Sequence, residues 1–489
     1  WGDYFPREGV YGLMQPVMQP VFQTKAIGDV LLSVAKRVDE NVAKQFPQER
    51  FYDYLRERWR EIHRRIAPES DFESFWEEAL KKGGVFRPSP GRGSPVKSKV
   101  FNFKFSLEEP RFEGEANNPV LLAYPSPYFF DGRGANRPWL QELPDPLTTI
   151  VWDTWVEIHP DTAKRLNISQ GDLLVLESPN GKIQAPAYLY AGVRRDVIAV
   201  PIGQGHSSYG RYAKGRGANP IALLPPVPEV PSGGIRWCST RVRIINTGKR
   251  RPLVMTAGSD RQHGRGIAQA IPLAALTGKQ EGKVEEKKAP QIYPPHDHPK
   301  HRWGMAIDLN ACVGCNACVT ACYAENNLPV VGKIQVAKGR EMSWIRIERY
   351  FEGDAENPKP VFLPMLCQQC DNAPCESVCP VYATYHTAEG LNAQVYPRCI
   401  GVRYCENNCP YKVRRFNWFT YTWPEPLNLQ LNPDVTVREV GVTEKCTFCV
   451  QRIRESKDKA KDEGRDVRDG EIVPACAQSC PTKAIVFGD

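Results

Sequence analysis

Fifteen cysteines crowd into residues 312–480, and only Cys238 stands outside them. They fall into four motifs. The first is Cys312, Cys315, Cys318 and Cys322, spaced C-x2-C-x2-C-x3-C. The second is Cys367, Cys370, Cys375 and Cys379, followed by Pro380. The third is Cys399, Cys405 and Cys409, followed by Pro410. The fourth is Cys446, Cys449, Cys476 and Cys480, followed by Pro481. Three thiolates close in sequence can wrap three corners of an iron–sulfur cube. The fourth lies on the helix that follows, points away, and reaches the cube of another motif. Four motifs therefore imply exchange in pairs.

Structural zinc is the alternative, because C-x2-C pairs also bind Zn2+, but zinc sites do not need the third and fourth cysteines of these runs. Dense short-spaced cysteines argue against disulfides. The third motif departs from the pattern at one place: the expected cysteine at 402 is Val402, which cannot ligate iron. A cube short of one thiolate tends to lose that iron and persist as [3Fe–4S], so fifteen ligands divide four, four, four and three. Water or a nearby oxygen on the fourth iron is the alternative.

Other candidates are weaker. No C-x-x-C is followed by His, so c-type haem attachment is not expected. His296, His298 and His301 sit in a proline-rich stretch and read as solvated loop histidines rather than metal ligands. Gly203, Gly205 and Gly210 around His206 lack the G-x-G-x-x-G spacing and read as turn glycines. Cys238 is expected to be a buried free thiol, and the cations along Arg236–Arg251 a solvated face.

The elements that must position the cysteines follow from periodicity and punctuation. Residues 1–115 read as mixed, helix-rich structure. Helices are expected along Ile27–Val38, along Phe51–Ile62 with Pro47 in the first turn, and over Phe72–Lys82 between an Asp71 cap and Gly83–Gly84. Residues 116–277 read as mainly strand, a compact β-barrel. Within it Trp155–Ile158 is a short strand and Asp161–Leu166 one or two helical turns. A hairpin is expected about Pro179–Asn180–Gly181, and a further strand at Val197–Ile202. Residues 278–300 form a charged, proline-containing linker. Residues 301–489 are the cysteine domain, an internal repeat of paired motifs.

Composition is that of ordinary globular protein, with 41% hydrophobic and 25% charged residues. The net charge of +8 permits an acidic partner or an anionic membrane surface but does not argue for nucleic acid. No apolar run is long enough to span a bilayer; Ile221–Leu224 and Ile271–Leu276 are short. With Trp1 first, the sequence reads as a fragment or a processed chain.

Residues 301–489 resemble the four-cluster iron–sulfur subunits of membrane-bound molybdopterin oxidoreductases, through Cys446–Thr447–Phe448–Cys449 and the run PACAQSCPTKAI from Pro474 to Ile485. Residues 1–280 resemble the closing part of a catalytic molybdopterin subunit, through YGLMQP from Tyr11, NRPWLQELPDP from Asn136 and WVEIHP from Trp155. The two halves on one chain resemble the fused iron–sulfur subunits of bacterial alternative complex III, a family of quinol-oxidising membrane complexes. The resemblance implies a multidomain fold. A mixed α/β remnant and a β-barrel of molybdopterin-oxidoreductase type precede an α+β four-cluster ferredoxin-like domain.

The same resemblance implies three [4Fe–4S] clusters and one [3Fe–4S] cluster. Cys312, Cys315, Cys318 and Cys480 would hold one cube, Cys322, Cys446, Cys449 and Cys476 a second, and Cys367, Cys370, Cys375 and Cys409 a third. Cys379, Cys399 and Cys405 would hold the three-iron cluster. Neither zinc nor molybdenum is expected, and no independent active site. The implied partners are an integral membrane quinol-binding subunit and multihaem and monohaem cytochrome c subunits. The implied location is peripheral, on the periplasmic face of the bacterial cytoplasmic membrane. The rival expectation is the electron-transfer half of a fused molybdopterin reductase acting on polysulfide or another small oxyanion.

Overall fold

A computed structural model describes residues 1–87, 111–230, 232–256, 258–269, 293–354 and 356–489. Ile271–Leu276 and the expected linker as far as residue 292 lie outside the described residues. The chain divides into two units, Trp1–Leu107 and Glu108–Asp489.

In the first unit, strands β1 (Gly2–Arg7), β2 (Val10–Met14) and β3 (Gly84–Phe86) form an antiparallel sheet in the order β1-β2-β3. The helix Phe72–Lys82 begins where Asp71 accepts the Ser74 N–H at 3.0 Å, a cap worth about 1 kcal/mol. It ends at Gly83, whose φ of 72° suits glycine. The helix Phe51–Ile66 starts four residues after Pro47, so the proline is not in its first turn as expected. Leu55, Trp59, Phe75 and Trp76 make the core of this unit. Along Ile27–Val38 the expected apolar stripe is open: Ile27 is 80% and Leu31 62% exposed. The helix buries Gly28 and Leu32 instead. Gly28 permits this because a Cβ there would stand 2.2 Å from the Phe51 ring.

The second unit opens with a six-stranded mixed sheet. Its strands are β4 (Val120–Pro125), β5 (Val156–Ile158), β6 (Asp172–Ser178), β7 (Gly181–Leu189), β8 (Val197–Ile202) and β9 (Arg243–Arg250), in the order β4-β8-β5-β7-β6-β9. β4 runs parallel to β8 and β5 parallel to β7; the other pairings are antiparallel. The β6–β7 hairpin closes at Ser178 and Gly181 about Pro179–Asn180, as the sequence predicts. Leu121, Ile158, Leu174, Leu176 and Ile198 fill the core on this sheet. The expected barrel is not closed by a continuous ladder. Its two edges meet at one bridge, Val120 with Arg241, carried by Leu121 N–H to Thr240 O at 2.8 Å and Val242 N–H to Pro119 O at 3.0 Å. Beyond that bridge the chain leaves β4 to pair β9 with β6.

The cysteine-rich part is built from two-stranded antiparallel ribbons. β10 (Gly304–Ile307) pairs with β17 (Ile485–Gly488), and β11 (Arg346–Glu352) with β12 (Lys359–Met365). β13 (Thr384–His386) pairs with β14 (Asn392–Gln394), and β15 (Arg415–Phe416) with β16 (Thr443–Glu444). The helices Ala317–Glu325, Tyr404–Asn408, Val450–Asp462 and Ala475–Gln478 lie between the ribbons. Their core includes Val319, Tyr323, Trp344, Phe448 and Ile453, and Leu143 from the preceding module packs into it. No helix among the described residues is long and apolar enough to cross a membrane.

Candidate metal centres

Each Cys-x-x-Cys turn carries the same backbone device. The residue before the second cysteine position is left-handed: Gly314 at φ 66°, Gln369 at 48°, Gly401 at 74° and Phe448 at 57°. Such a residue swings successive N–H groups to one side and makes a concavity for an anionic group. At Gly401 only glycine fits, because a Cβ would stand 2.6 Å from the Gly441 carbonyl oxygen. Val402 stands where a second cysteine would, between Gly401 and the left-handed Arg403. Cys315 stands likewise between Gly314 and the left-handed Asn316.

The thiols gather across motifs. Burial, then Cys476, Cys315 and Cys312 beside it, push the Cys318 thiol up to about 12. One turn on along the helix Ala317–Glu325, Cys322 is driven up by burial and by Cys446, Cys449 and Cys476. Cys370 is raised by burial and by Cys367, Cys375 and Cys409. Cys379, Cys399 and Cys405 line one cavity together with Val402. Ribbon β10–β17 brings the first motif and Cys480 to the same end, with Asp308 N–H bonded to Ala484 O at 2.8 Å and Cys312 N–H to Asp308 O at 2.9 Å.

Cys379 and Cys480 are matched in another way. Each sulfur accepts the N–H four residues on, from Ala383 and Ala484, at 3.2 Å in both cases. Against burial, these and neighbouring donors hold both thiols below the usual range.

All sixteen cysteines are free. Thiols gathered across motifs beside left-handed turns, many of them desolvated, are the donor set of iron–sulfur clusters: a bound cluster takes the thiolates and supplies the charge compensation that apolar burial denies them. The residues present fit that group. Cys238 does not belong to it, and it is exposed rather than buried as expected. Its neighbour Trp237 takes the place against the sheet core.

Buried cations also escaped the sequence reading, Arg414 and Lys445 among them. Arg414 donates to Thr384 Oγ1 at 2.6 Å, Asn392 Oδ1 at 2.7 Å and Gln394 Oε1 at 2.8 Å, and is 2% exposed. Cys375, Cys405 and Cys367 lie near its guanidinium and, against burial, favour its charge. Lys445 is fully buried and donates to the Cys446 carbonyl at 3.0 Å. Neither stands in a recognisable motif; their place five residues after Cys409 and one before Cys446 is the only signal.

The sheet module grips the first motif. Asn316 Nδ2 donates to the Tyr128 hydroxyl at 2.6 Å and to Pro144 O at 3.1 Å. The Glu142 carboxylate accepts the N–H groups of Gly332 at 2.8 Å and Val331 at 3.1 Å, and Trp152 Nε1–H at 3.1 Å. Lys333 pairs with the buried Asp153. In the same module Gln141 and Gln204 satisfy each other, Gln204 Nε2 donating to Gln141 Oε1 at 2.7 Å and Gln141 Nε2 returning at 3.1 Å.

Three family matches agree with this layout. Residues 141–231 match the Molydopterin dinucleotide binding domain. Residues 304–383 and 359–425 match 4Fe-4S dicluster domains. The chain is 48% identical over 198 residues to the iron–sulfur cluster-binding subunit of menaquinone reductase from Nitratidesulfovibrio vulgaris, covering 39% of this chain and 76% of that protein. It is 35% identical over 214 residues to the Hdr-like menaquinol oxidoreductase iron–sulfur subunit 1 of Archaeoglobus fulgidus, covering 40% and 74%. It is 32% identical over 216 residues to the iron–sulfur subunit of the arsenate respiratory reductase of Shewanella sp. (strain ANA-3), covering 38% and 82%. A solved acetylene hydratase from Pelobacter acetylenicus aligns over 26% of this chain and 18% of its own at 15% identity, with a TM-score of 0.22, too slight a likeness to carry an argument. With thiols grouped for clusters and relatives matched over most of their length, the chain belongs to the family of iron–sulfur cluster-binding, electron-transfer subunits of oxidoreductase complexes.

Proposed function

We propose that this chain carries electrons in a quinol-oxidising membrane complex of the alternative complex III type. The observation that carries the reading is one chain with a molybdopterin-type module ahead of four cysteine motifs, the third of which has Val402 in a ligand position. Two of the relatives have menaquinone or menaquinol in their names, which favours a quinol donor.

In this reading Cys312, Cys315, Cys318 and Cys480 hold one [4Fe–4S] cluster. Cys322, Cys446, Cys449 and Cys476 hold the next, and Cys367, Cys370, Cys375 and Cys409 the third. Cys379, Cys399 and Cys405 hold a [3Fe–4S] cluster. Bound clusters supply one-electron donor and acceptor sites; the chain's part is to space them, keep water from them and set their potentials. The neighbours of Cys318 and Cys322 favour contact between the first two sets, Cys367 lies beside Cys446, and Arg414 lies between Cys375 and Cys405. That order makes a wire with the three-iron cluster at one end. An integral membrane partner oxidises quinol, and multihaem and monohaem cytochrome c subunits receive the electrons. The chain is peripheral, on the periplasmic face. The molybdopterin-type module holds no molybdenum and serves as a clamp on the first cluster motif.

The second reading is the electron-transfer half of a molybdopterin reductase. The relative named as part of an arsenate respiratory reductase favours it. The deciding experiment is anaerobic addition of a short-chain menaquinol to membranes containing the complex, with low-temperature EPR and metal analysis. Loss of the oxidised three-iron signal without molybdenum supports the quinol wire. Stoichiometric molybdenum decides for the reductase, whose clusters quinol would reduce as well.

A further inference from the structure

We propose that His298, Asp371 and His386 form a binding site for a single divalent transition ion of the zinc class, apart from the cysteine groups. The three come from separate segments: the lead-in to β10, the residue after Cys370, and the end of β13. Their ligand atoms lie within 4.8 Å of one another. His298 and His386, read from sequence as a solvated loop histidine and not singled out at all, have side chains only 11% and 7% exposed.

The geometry has a metal-site form. His298 Nε2 and His386 Nε2 stand 3.8 and 3.7 Å from the same oxygen, Asp371 Oδ1. Those distances are too long for hydrogen bonds, and neither nitrogen has a hydrogen-bond partner among the described residues. Two ligands each about 2.0–2.1 Å from one ion stand about 3.4 Å apart at the tetrahedral angle, close to what is seen. The other ring nitrogen of His298, Nδ1, lies 3.1 Å from the Ala388 carbonyl. A carbonyl only accepts, so Nδ1 carries the proton and Nε2 presents its lone pair, the arrangement that orients metal-bound imidazoles. Asp371 Oδ2 is held by Arg302, which leaves Oδ1 as the free ligand atom. Glu376 Oε1 faces His386 Nδ1 at 3.6 Å, and the exposed His296 ring lies over His386 at 4.6 Å, at the mouth of the site.

Two imidazoles and one carboxylate with an open side suit zinc and similar ions rather than magnesium or calcium, which take oxygen ligands. The ion would staple the lead-in segment to the second cysteine motif and to β13. This departs from the expectation that the protein takes no zinc.

The test uses the full chain with its clusters, kept anaerobic and dialysed to equilibrium against micromolar Zn2+. About one zinc per chain is expected in the unaltered protein and in His301→Gln, whose ring pairs with Asp489 instead. The double variant His298→Gln/His386→Gln should bind none at unchanged iron. Equal zinc in the unaltered protein and the double variant overturns the site. Zinc-edge absorption on the unaltered protein decides independently of how the variant folds. Nitrogen and oxygen neighbours at about 2.0–2.1 Å uphold the proposal; sulfur at about 2.3 Å means zinc has entered a cysteine site and overturns it.

Discussion

Cys318 and Cys322 sit four residues apart on one helix, yet their thiols face different sets: Cys312 and Cys315 beside the first, Cys446 and Cys449 beside the second, with Cys476 near both. The offset along the helix is about 6 Å. A single rigid turn thus fixes the separation of two thiol groups drawn from motifs more than a hundred residues apart in sequence. The matched sulfur acceptors Cys379 and Cys480 are a second feature repeated in the two halves.

The crossed arrangement has a direct test in Cys480→Ala. It should damage the cluster held by Cys312, Cys315 and Cys318 and spare the one held by Cys446, Cys449 and Cys476. EPR of the reduced complex with iron analysis reads this. Loss of the Cys446 cluster, with the first intact, would show that each motif serves its own cube.

Much of this centre is legible in sequence because its chemistry is local. Ligands two or three residues apart announce themselves, as do the Asp71 cap, the Gly83 stop and the Pro179–Asn180 turn, each set by one or two residues. What stays hidden depends on contacts between distant segments. The bridge of Val120 to Arg241 leaves the sheet short of a closed barrel. Gly28 against Phe51 turns the other face of its helix inward. Cys238 is exposed because Trp237 holds the packed position. Arg414 and Lys445 have no motif, and His298, Asp371 and His386 converge from three places with no common spacing.

Metal content separates the two functional readings. About fifteen iron atoms per chain are expected, from three cubes and one three-iron cluster, with no molybdenum. Mass-spectrometric metal analysis of the purified complex is the measurement. A full equivalent of molybdenum would decide for the reductase.

The clamp at Glu142 makes stability depend on pH. Burial pushes this carboxyl up to about 7, against the donors at Val331, Gly332 and Trp152. The folded state therefore holds the proton more tightly than the unfolded chain. Its contribution is fully present below the ordinary carboxylate range and is lost as pH rises through about 7. The span corresponds to a loss on the order of 3 kcal/mol. Glu142→Gln stays neutral, so its melting temperature should fall less than the unaltered protein's between pH 5 and about 8. Parallel pH profiles for the two proteins would refute the assignment.

Val402 offers a test of where electrons enter the chain. Quinol is a mild reductant, so its first acceptor should not be a cluster of very low potential. Cluster type, net charge and hydrogen bonds to sulfur set potentials over about −700 to +450 mV, and a [3Fe–4S] cluster sits towards the accepting end of that range. The turn at Gly401–Val402–Arg403 keeps the backbone of a ligating turn, and Val402 lines the cavity of Cys379, Cys399 and Cys405. A thiol placed there by Val402→Cys needs no rearrangement of the chain. The variant should gain about one iron, lose the oxidised three-iron EPR signal, and shift that centre to lower potential. If quinol delivers its electrons first to this three-iron cluster, as the proposed wire implies, reduction by menaquinol should then slow, because the first acceptor has become harder to reduce. If the fourth iron binds and the potential falls while quinol reduces the complex as fast as before, electrons enter the chain elsewhere.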